Sequence, residues 1–325
     1  MTASAPHPEI VPISLPTPFP IGPVNAFLLR GEALVLVDTG PGTDAAYEVM
    51  ARTFREQQVA ISDVEAILVT HGHVDHVGLL GRLVEESGAK VYAHPYALIS
   101  AARQEAWEKR FRGFIYDALQ RFGAPPPILE ATRKARDEVK SMASQVTADH
   151  ILHHGDKALG FDVHHVPGHS ASDTLLYDPA RRLAFTGDHV LRRVTPSPLL
   201  RPSRETGERV RSLPEYVNSL RHTYDLDIQM CYPGHGEPFS GHREIIENAF
   251  TRLEKRTGKV RALLSENPMT PYEVCMSLFP QIDEANTYVG IAVALGHLDV
   301  LEDRGEVVAQ SRGSVVYYSL TESGA

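Results

Sequence analysis

The chain has 325 residues, enough for one large domain or two ordinary ones, and its 42% hydrophobic and 22% charged residues are a globular mix. That composition excludes disorder, collagen and coiled coil as descriptions of the whole. Acidic residues outnumber basic ones 41 to 32, a formal charge of −9, which argues against a whole-molecule attraction to nucleic acid or anionic lipid.

Prolines 6, 8, 12, 16, 18, 20 and 23 break regular structure at the start, which reads as short strand pieces and loop. No basic flank or apolar stretch marks Met1 to Ile10, so a secretion signal is not expected. Residues 24–30 and 33–37 are apolar runs around Gly31-Glu32, a hairpin signal. The turn cluster Asp38-Thr39-Gly40-Pro41-Gly42 leads to a helix over 44–57, a strand over 66–70, a helix over 77–87 ended by Gly88, and a strand over 91–93. Strand and helix thus alternate around a buried sheet.

Residues 95–148 break that rhythm and predict two inserted helices, roughly 96–122 and 128–146, split by Pro125-Pro126-Pro127. Strands resume over 161–166, 174–177, 183–186 and 228–232. A long helix follows over 243–264. Thr270-Pro271-Tyr272-Glu273 is a capping box with proline at the first helical position, opening a short helix to Leu278. A third helix over 284–301 precedes runs 307–310 and 315–320 flanking Gly313, a hairpin. Helices followed by a two-stranded wing describe a winged-helix module. The expected organisation is therefore a catalytic domain over 1–248 with its helical insertion, then a winged-helix domain over 249–325. Two cysteines, Cys231 and Cys275, cannot build a disulfide framework, and a reducing, cytoplasmic compartment is the simpler expectation. No apolar run approaches the roughly 18 residues of a membrane span.

The chemistry lies in His71-Gly72-His73-Val74-Asp75-His76, directly after the strand over 66–70. Residues two apart on extended chain point the same way, so His71 and His73 can grip one ion. After a turn, Asp75 and His76 can face a second. Three more candidates follow strands, each after a glycine: His169 in Val166-Pro167-Gly168-His169, Asp188 in Thr186-Gly187-Asp188, and His235 in Tyr232-Pro233-Gly234-His235. Five imidazoles and two carboxylates suit a pair of borderline divalent ions such as Zn²⁺, with Fe²⁺ or Mn²⁺ also accommodated. His94, His153, His154, His164 and His165 read as surface or packing residues.

The motif H-x-H-x-D-H, then P-G-H, G-D and P-G-H-G, resembles the metallo-β-lactamase superfamily over about residues 10–245. That resemblance implies an αββα sandwich, two mixed β-sheets face to face with helices outside. It assigns His71, His73 and His169 to one metal, Asp75, His76 and His235 to the other, and Asp188 as the bridge. Asp188 stands where β-lactamases of the commonest zinc class place a cysteine; a carboxylate there looks instead like glyoxalase II, lactonases, thioesterase-like members and RNA-processing nucleases. Gly78 is followed by Leu79 rather than the second glycine of glyoxalase II, which argues against a glutathione thioester.

The expected reaction is attack on an ester, thioester or lactone carbonyl by hydroxide generated between the metals, without a serine or cysteine nucleophile. Asp75 would orient it or pass a proton to the leaving group. Asp38 is read as a hydrogen-bonding partner behind the metal ligands, and His189 as a hydrogen-bond donor to substrate or a structural residue. Segment 192–211 holds Arg192, Arg193 and four further arginines against two glutamates, which suggests that Arg192 and Arg193 meet an anionic part of a small acyl substrate. The aromatics Tyr96, Trp107, Phe111, Phe114, Tyr116 and Phe122 would line an acyl pocket or pack the insertion onto the sandwich. An endoribonuclease and a nucleic-acid-binding regulator are the alternatives. The second is disfavoured by Glu284, Asp299, Glu302 and Asp303 in a candidate recognition helix, 284–303, without Lys or Arg. A homodimer through the C-terminal module is a further expectation.

Overall fold

A computed structural model of the chain describes residues 8–98, 101–142 and 145–322. Positions 99–100 and 143–144 of the two expected insertion helices, and Pro6 of the proline-rich start, lie outside the described residues.

Two sheets form the centre of the first unit. One has the order β1 (Glu9–Leu15), β2 (Val24–Arg30), β3 (Leu34–Val37), β4 (Ala66–Leu68), β5 (Lys90–Ala93) and β6 (His150–Ile151). Its β1–β3 pairings are antiparallel and its β3–β6 pairings parallel. The other runs β11 (Met230–Pro233), β10 (Leu183–Gly187), β9 (Thr174–Asp178), β8 (Phe161–His165) and β7 (Lys157–Ala158), parallel only between β10 and β11. Alternation of side chains gives each strand two faces. Phe27, Leu29, Val35, Val37 and Leu68 from the first sheet meet Phe161, Val163, Leu176 and Phe185 from the second in one core. Residues of opposite parity, Ile13, Ala26, Leu28, Leu36 and Ile67, pack with Met50 and Phe54 of α1 (Asp44–Glu56) and Leu80 and Leu83 of α3 (Leu80–Ser87). The expected α/β architecture with mixed sheets and helices is thus present.

The proline-rich start differs from expectation. It contains a full seven-residue strand, β1, with Pro12 opposite Phe27. The strand lies at the edge of its sheet, where a missing N–H breaks no ladder. The helix expected over 77–87 is two: α2 (Val74–Val77), carrying Asp75 and His76, and α3, closed by Gly88 at φ 69°.

The chain forms two compact units, and the division is not the expected cut near 248. The first takes Met1–Arg103, Val139–Arg193 and Asp225–His242; the second takes Gln104–Glu138, Val194–Tyr224 and Arg243–Ala325. The second unit contains α4 (Ala101–Arg121, from Gln104 on), α5 (Pro126–Ser141, up to Glu138), α6 (Ser212–Asp225, up to Tyr224), α7 (His242–Leu263, from Arg243 on), α8 (Pro271–Leu278), α9 (Thr287–Asp303) and the hairpin β12 (Val307–Arg312) with β13 (Val315–Leu320). Its core joins Ile115, Leu119, Phe122 and Ile128 to Ile291, Leu295 and Leu298. The insertion helices therefore bury their apolar faces with α9, and Phe111 and Phe114 pack on the same core rather than on the sandwich. α6 has no counterpart among the sequence expectations, although Leu213, Tyr216, Leu220 and Thr223 carry its helical spacing and are buried. The capping box of α8 forms as expected, Thr270 accepting from the Glu273 N–H and Glu273 from the Thr270 N–H.

Candidate metal centre

Parallel pairing sends β3 and β4 the same way in one sheet and β10 and β11 the same way in the other. The loops leaving these strands carry Asp38, His71, Asp188 and His235, and the loop after β8 carries His169. The structure brings all seven expected donors together in three overlapping groups: His71, His73 and His169; His71, His76 and Asp188; Asp75, His76 and His235. Gly234 is required by this convergence, because a Cβ there would sit 2.3 Å from Asp188 Oδ1 and 2.6 Å from His76 Cε1.

In the first group His73 Nδ1 lies 3.1 Å from His71 Nε2 and 3.0 Å from His169 Nε2. Nitrogens about 2.0–2.1 Å from a tetrahedral ion stand about 3.3 Å apart, so these lone pairs converge at nearly a ligand spacing. Asp188 stands between the groups. Its Oδ1 is 3.5 Å from His76 Nε2, and its Oδ2 is 3.7 Å from His169 Nε2 and 3.5 Å from His235 Nε2. Asp75 Oδ2 lies 3.4 Å from His235 Nε2.

The donor atoms are aimed by the opposite ends of their side chains. Asp38 Oδ2 takes His76 Nδ1 at 2.8 Å, while its carboxylate also accepts from Thr70 N at 2.8 Å and Thr70 Oγ1 at 2.6 Å. Asp38 adopts φ 57°, unusual for a residue with a Cβ, and these three bonds hold it there. The Pro23 carbonyl holds His235 Nδ1 at 2.8 Å. His76 Nε2, His235 Nε2 and Asp188 Oδ1 are buried with no hydrogen-bond partner among the described residues. Buried polar atoms without partners are costly, and three of them within one cluster of donors fit bound cations.

Charge argues the same way. Burial, then the neighbouring histidines, hold His71 well below the ordinary imidazole value, and burial followed by His169 takes His73 to about 3. Both are neutral at pH 7, the form that donates a lone pair. Burial pushes Asp75 and Asp188 up, but His76 and the other imidazoles outweigh it and hold both carboxyls below the ordinary range. Burial opposes a proton on His76, yet Asp188, Asp38 and Asp75 raise it well above the ordinary value. Asp75 and Asp188 thus favour positive charge beside them, here a proton on His76, and divalent ions would supply it in the proton's place.

His189 is buried beside Asp188, its N–H donating to the Thr186 carbonyl at 3.0 Å. Arg192 and Arg193 are exposed and form no ion pair among the described residues. The rest of the arginine segment is largely neutralised within the second unit: Arg201 pairs with Glu215, Arg209 makes two bonds to Asp299 at 2.7 and 2.6 Å, and Arg211 reaches Glu302 and Asp303. The expected surplus of basic charge along the whole segment is therefore not presented as such. Sequence reading missed Asn25 and Asp173. Asp173 had a signal, being an acidic residue in the same turn as His169; Asn25 had none, because its partner Pro233 lies 208 positions away.

The sequence profile of the Metallo-beta-lactamase superfamily matches residues 20–235. A relative from Bacillus subtilis named Probable metallo-hydrolase YqjP is 31% identical over 95% of this chain and 97% of its own length. An Aspergillus fumigatus protein named Atrochrysone carboxyl ACP thioesterase is 24% identical over 73% of this chain and 58% of its own. Among solved structures, a metallo-beta-lactamase family protein from Thermus thermophilus superposes with a TM-score of 0.82, at 25% identity over 96% of this chain and 98% of that one. Divalent metal ions are general to the matched family, and the His and Asp clusters here suit them.

Proposed function

This chain belongs to the metallo-β-lactamase superfamily and is a metallo-hydrolase, and from that premise we propose that it uses two divalent ions to hydrolyse an ester, thioester or lactone. The observation that carries the reading is the convergence of seven donor side chains in which His76 Nε2, His235 Nε2 and Asp188 Oδ1 are buried without hydrogen-bond partners among the described residues. His71, His73 and His169 would hold one ion, Asp75, His76 and His235 the other, and Asp188 would bridge. When bound, such a pair polarises a carbonyl oxygen and lowers the pKa of water from about 15.7 towards about 7, supplying hydroxide at neutral pH. Zinc is the expected metal, and iron or manganese share the same donor chemistry.

The chain's own residues do the positioning. Asp38 fixes the His76 ring through Nδ1, leaving Nε2 for the centre. Pro23 does the same for His235. Asp75, ionised and beside His235, is the group placed to receive a proton and deliver it to a leaving oxygen or sulfur. Cys231 and Cys275 do not serve as nucleophiles in this reading: both are buried free thiols, and burial pushes each up to about 12. Two free thiols also support a cytoplasmic location, and no described helix is long and apolar enough to cross a membrane. The thioester option is supported by the Aspergillus relative, a thioesterase by name, and a carboxylate at position 188 disfavours β-lactams. Arg192 and Arg193 would meet an anionic part of the substrate. The C-terminal helices and hairpin we read as a winged-helix module that packs or dimerises. Three acids in the last turns of α9, Asp299, Glu302 and Asp303, pair with Arg209 and Arg211, and the helix itself carries no Lys or Arg for a basic recognition surface.

The test is a panel of thioesters, lactones, phosphodiesters and a β-lactam, offered to metal-replete protein with parallel elemental analysis. Close to two metals per chain, with chelator-sensitive turnover of an acyl substrate, is the expected result. Turnover of RNA alone would replace the acyl reading with the ribonuclease one.

A further inference from the structure

Two buried side chains outside the donor set hold the two histidine loops that come from the second sheet. Asn25, 7% exposed, gives both hydrogens of its amide to the loop after β11, one to the Pro233 carbonyl at 3.0 Å and one to the Gly236 carbonyl at 2.7 Å. Its backbone N–H donates to Gly234 O at 2.7 Å. Those three carbonyls bracket His235. Asp173, 2% exposed, holds the loop after β8: Oδ2 accepts from Ser170 N at 2.7 Å and Oδ1 from Ser170 Oγ at 2.5 Å. Ser170 Oγ in turn accepts from Ser172 N, and Ser172 Oγ accepts from Gly72 N, both at 3.1 Å. Asp173 thereby ties the His169 loop to the turn between His71 and His73.

We propose that Asn25 and Asp173 are positioning residues with divided tasks, Asn25 for the ion held by Asp75, His76 and His235, and Asp173 for the ion held by His71, His73 and His169. The inference rests on the dinuclear reading above and goes beyond it by assigning each ion its own clamp. The physical reason is that a ligand loop bracketed by short bonds loses little freedom when the ion arrives. Without the clamp, ordering the loop is charged against metal affinity. A backbone carbonyl on each side of His235 offers only an acceptor, so an amide that donates twice is the fitting partner. A backbone N–H and a hydroxyl both donate, so a carboxylate that accepts twice fits Ser170.

The experiment titrates Zn²⁺ into metal-stripped full-length protein against a competing chelator, for wild type, Asn25→Ala, Asp173→Ala and the milder Ser170→Ala. Each variant is repeated in His235→Ala and His169→Ala backgrounds, and the melting temperature of the metal-free form is recorded for all. We expect Asn25→Ala to weaken one of two binding events by roughly 10–100-fold and Asp173→Ala the other, the usual cost of removing a partner behind a metal ligand. Asn25→Ala should add nothing further to His235→Ala but its full effect to His169→Ala, and Asp173→Ala the reverse. Ser170→Ala should follow Asp173→Ala with a smaller loss. Two ions bound by wild type and by all variants with equal affinity would overturn the inference alone. So would equal weakening of both events, or losses that track a lower melting temperature of the metal-free form. A wild-type chain that binds fewer than two ions overturns the dinuclear reading and the inference with it.

Discussion

Asp188 is the residue at which the two donor sets meet, since its two oxygens face His76 on one side and His169 and His235 on the other. A bridging carboxylate offers an oxygen to each ion and offsets their mutual repulsion. Asp188→Asn keeps the size and removes the charge, so one ion should be lost more readily and hydrolysis should fall by orders of magnitude while the fold survives. Full activity with two metals still bound would sink the bridging role. His169→Ala should remove the ion held by His71 and His73. His165→Ala, which loses the bond between its Nε2 and the Ala171 carbonyl and the stack of its ring on His94, should leave elemental analysis unchanged. Arg192 and Arg193 are exposed, so reversing either to Glu should leave the fold intact. If they meet an anionic group, KM should rise several-fold with little change in kcat, the pattern for binding shared by ground and transition states. Unchanged KM on every substrate would leave them as ordinary surface.

Helix α9 is buried along most of its length, and two of its buried polar side chains, Asp299 and His297, have different fates. Asp299, 1% exposed, takes the Arg209 guanidinium in two bonds. Asp299→Ala leaves that guanidinium largely buried and unpaired, and urea unfolding should show a loss of about 3 kcal/mol. His297 donates or accepts one bond with Thr257 Oγ1 at 2.8 Å, and burial takes its imidazole from the ordinary 6.5 down to about 3. The unfolded chain therefore binds a proton at this site that the folded chain refuses. Stability from this group is complete above pH 6.5 and is lost as pH falls from there towards about 3. His297→Gln should flatten the acid limb of stability against pH, measured by urea midpoints between pH 7 and pH 4. An unaltered limb would show that other groups govern it.

At the scale of the whole molecule, each compact unit has its own apolar core, but the first also gathers its donors from loops far apart in sequence. Ions that bind only the gathered arrangement stabilise it by mass action, about 2.7 kcal/mol per site at a hundredfold excess over Kd. Chelation should therefore lower the melting temperature, and Zn²⁺ should restore it. A melting temperature indifferent to chelator would mean that the centre is held by protein contacts alone. The thiols give an independent reading of compactness, because Cys231 is 1% exposed and Cys275 is 0%. Neither should react with a disulfide reagent at pH 8 in the native protein, and both should react in denaturant.

The local pattern determined what depends on neighbours in the chain. His71 and His73 in the loop after β4, glycines ahead of His169, Asp188 and His235, and the Thr270–Glu273 cap are short-range features, and each appears where the residues dictate. So do most strands and helices, because an apolar period of two or of three to four is written within a few residues. Tertiary structure alone decided who covers whom. The insertion helices showed an apolar face but not its cover, which proved to be α9 rather than the sandwich. The arginine segment showed charge but not its partners, and Arg209 found Asp299 90 positions away. Asn25 reaches the His235 loop across 208 positions. Periodicity reports that a face will be buried and composition reports that a charge must be satisfied, but neither carries the identity of a partner brought near only when the chain has folded.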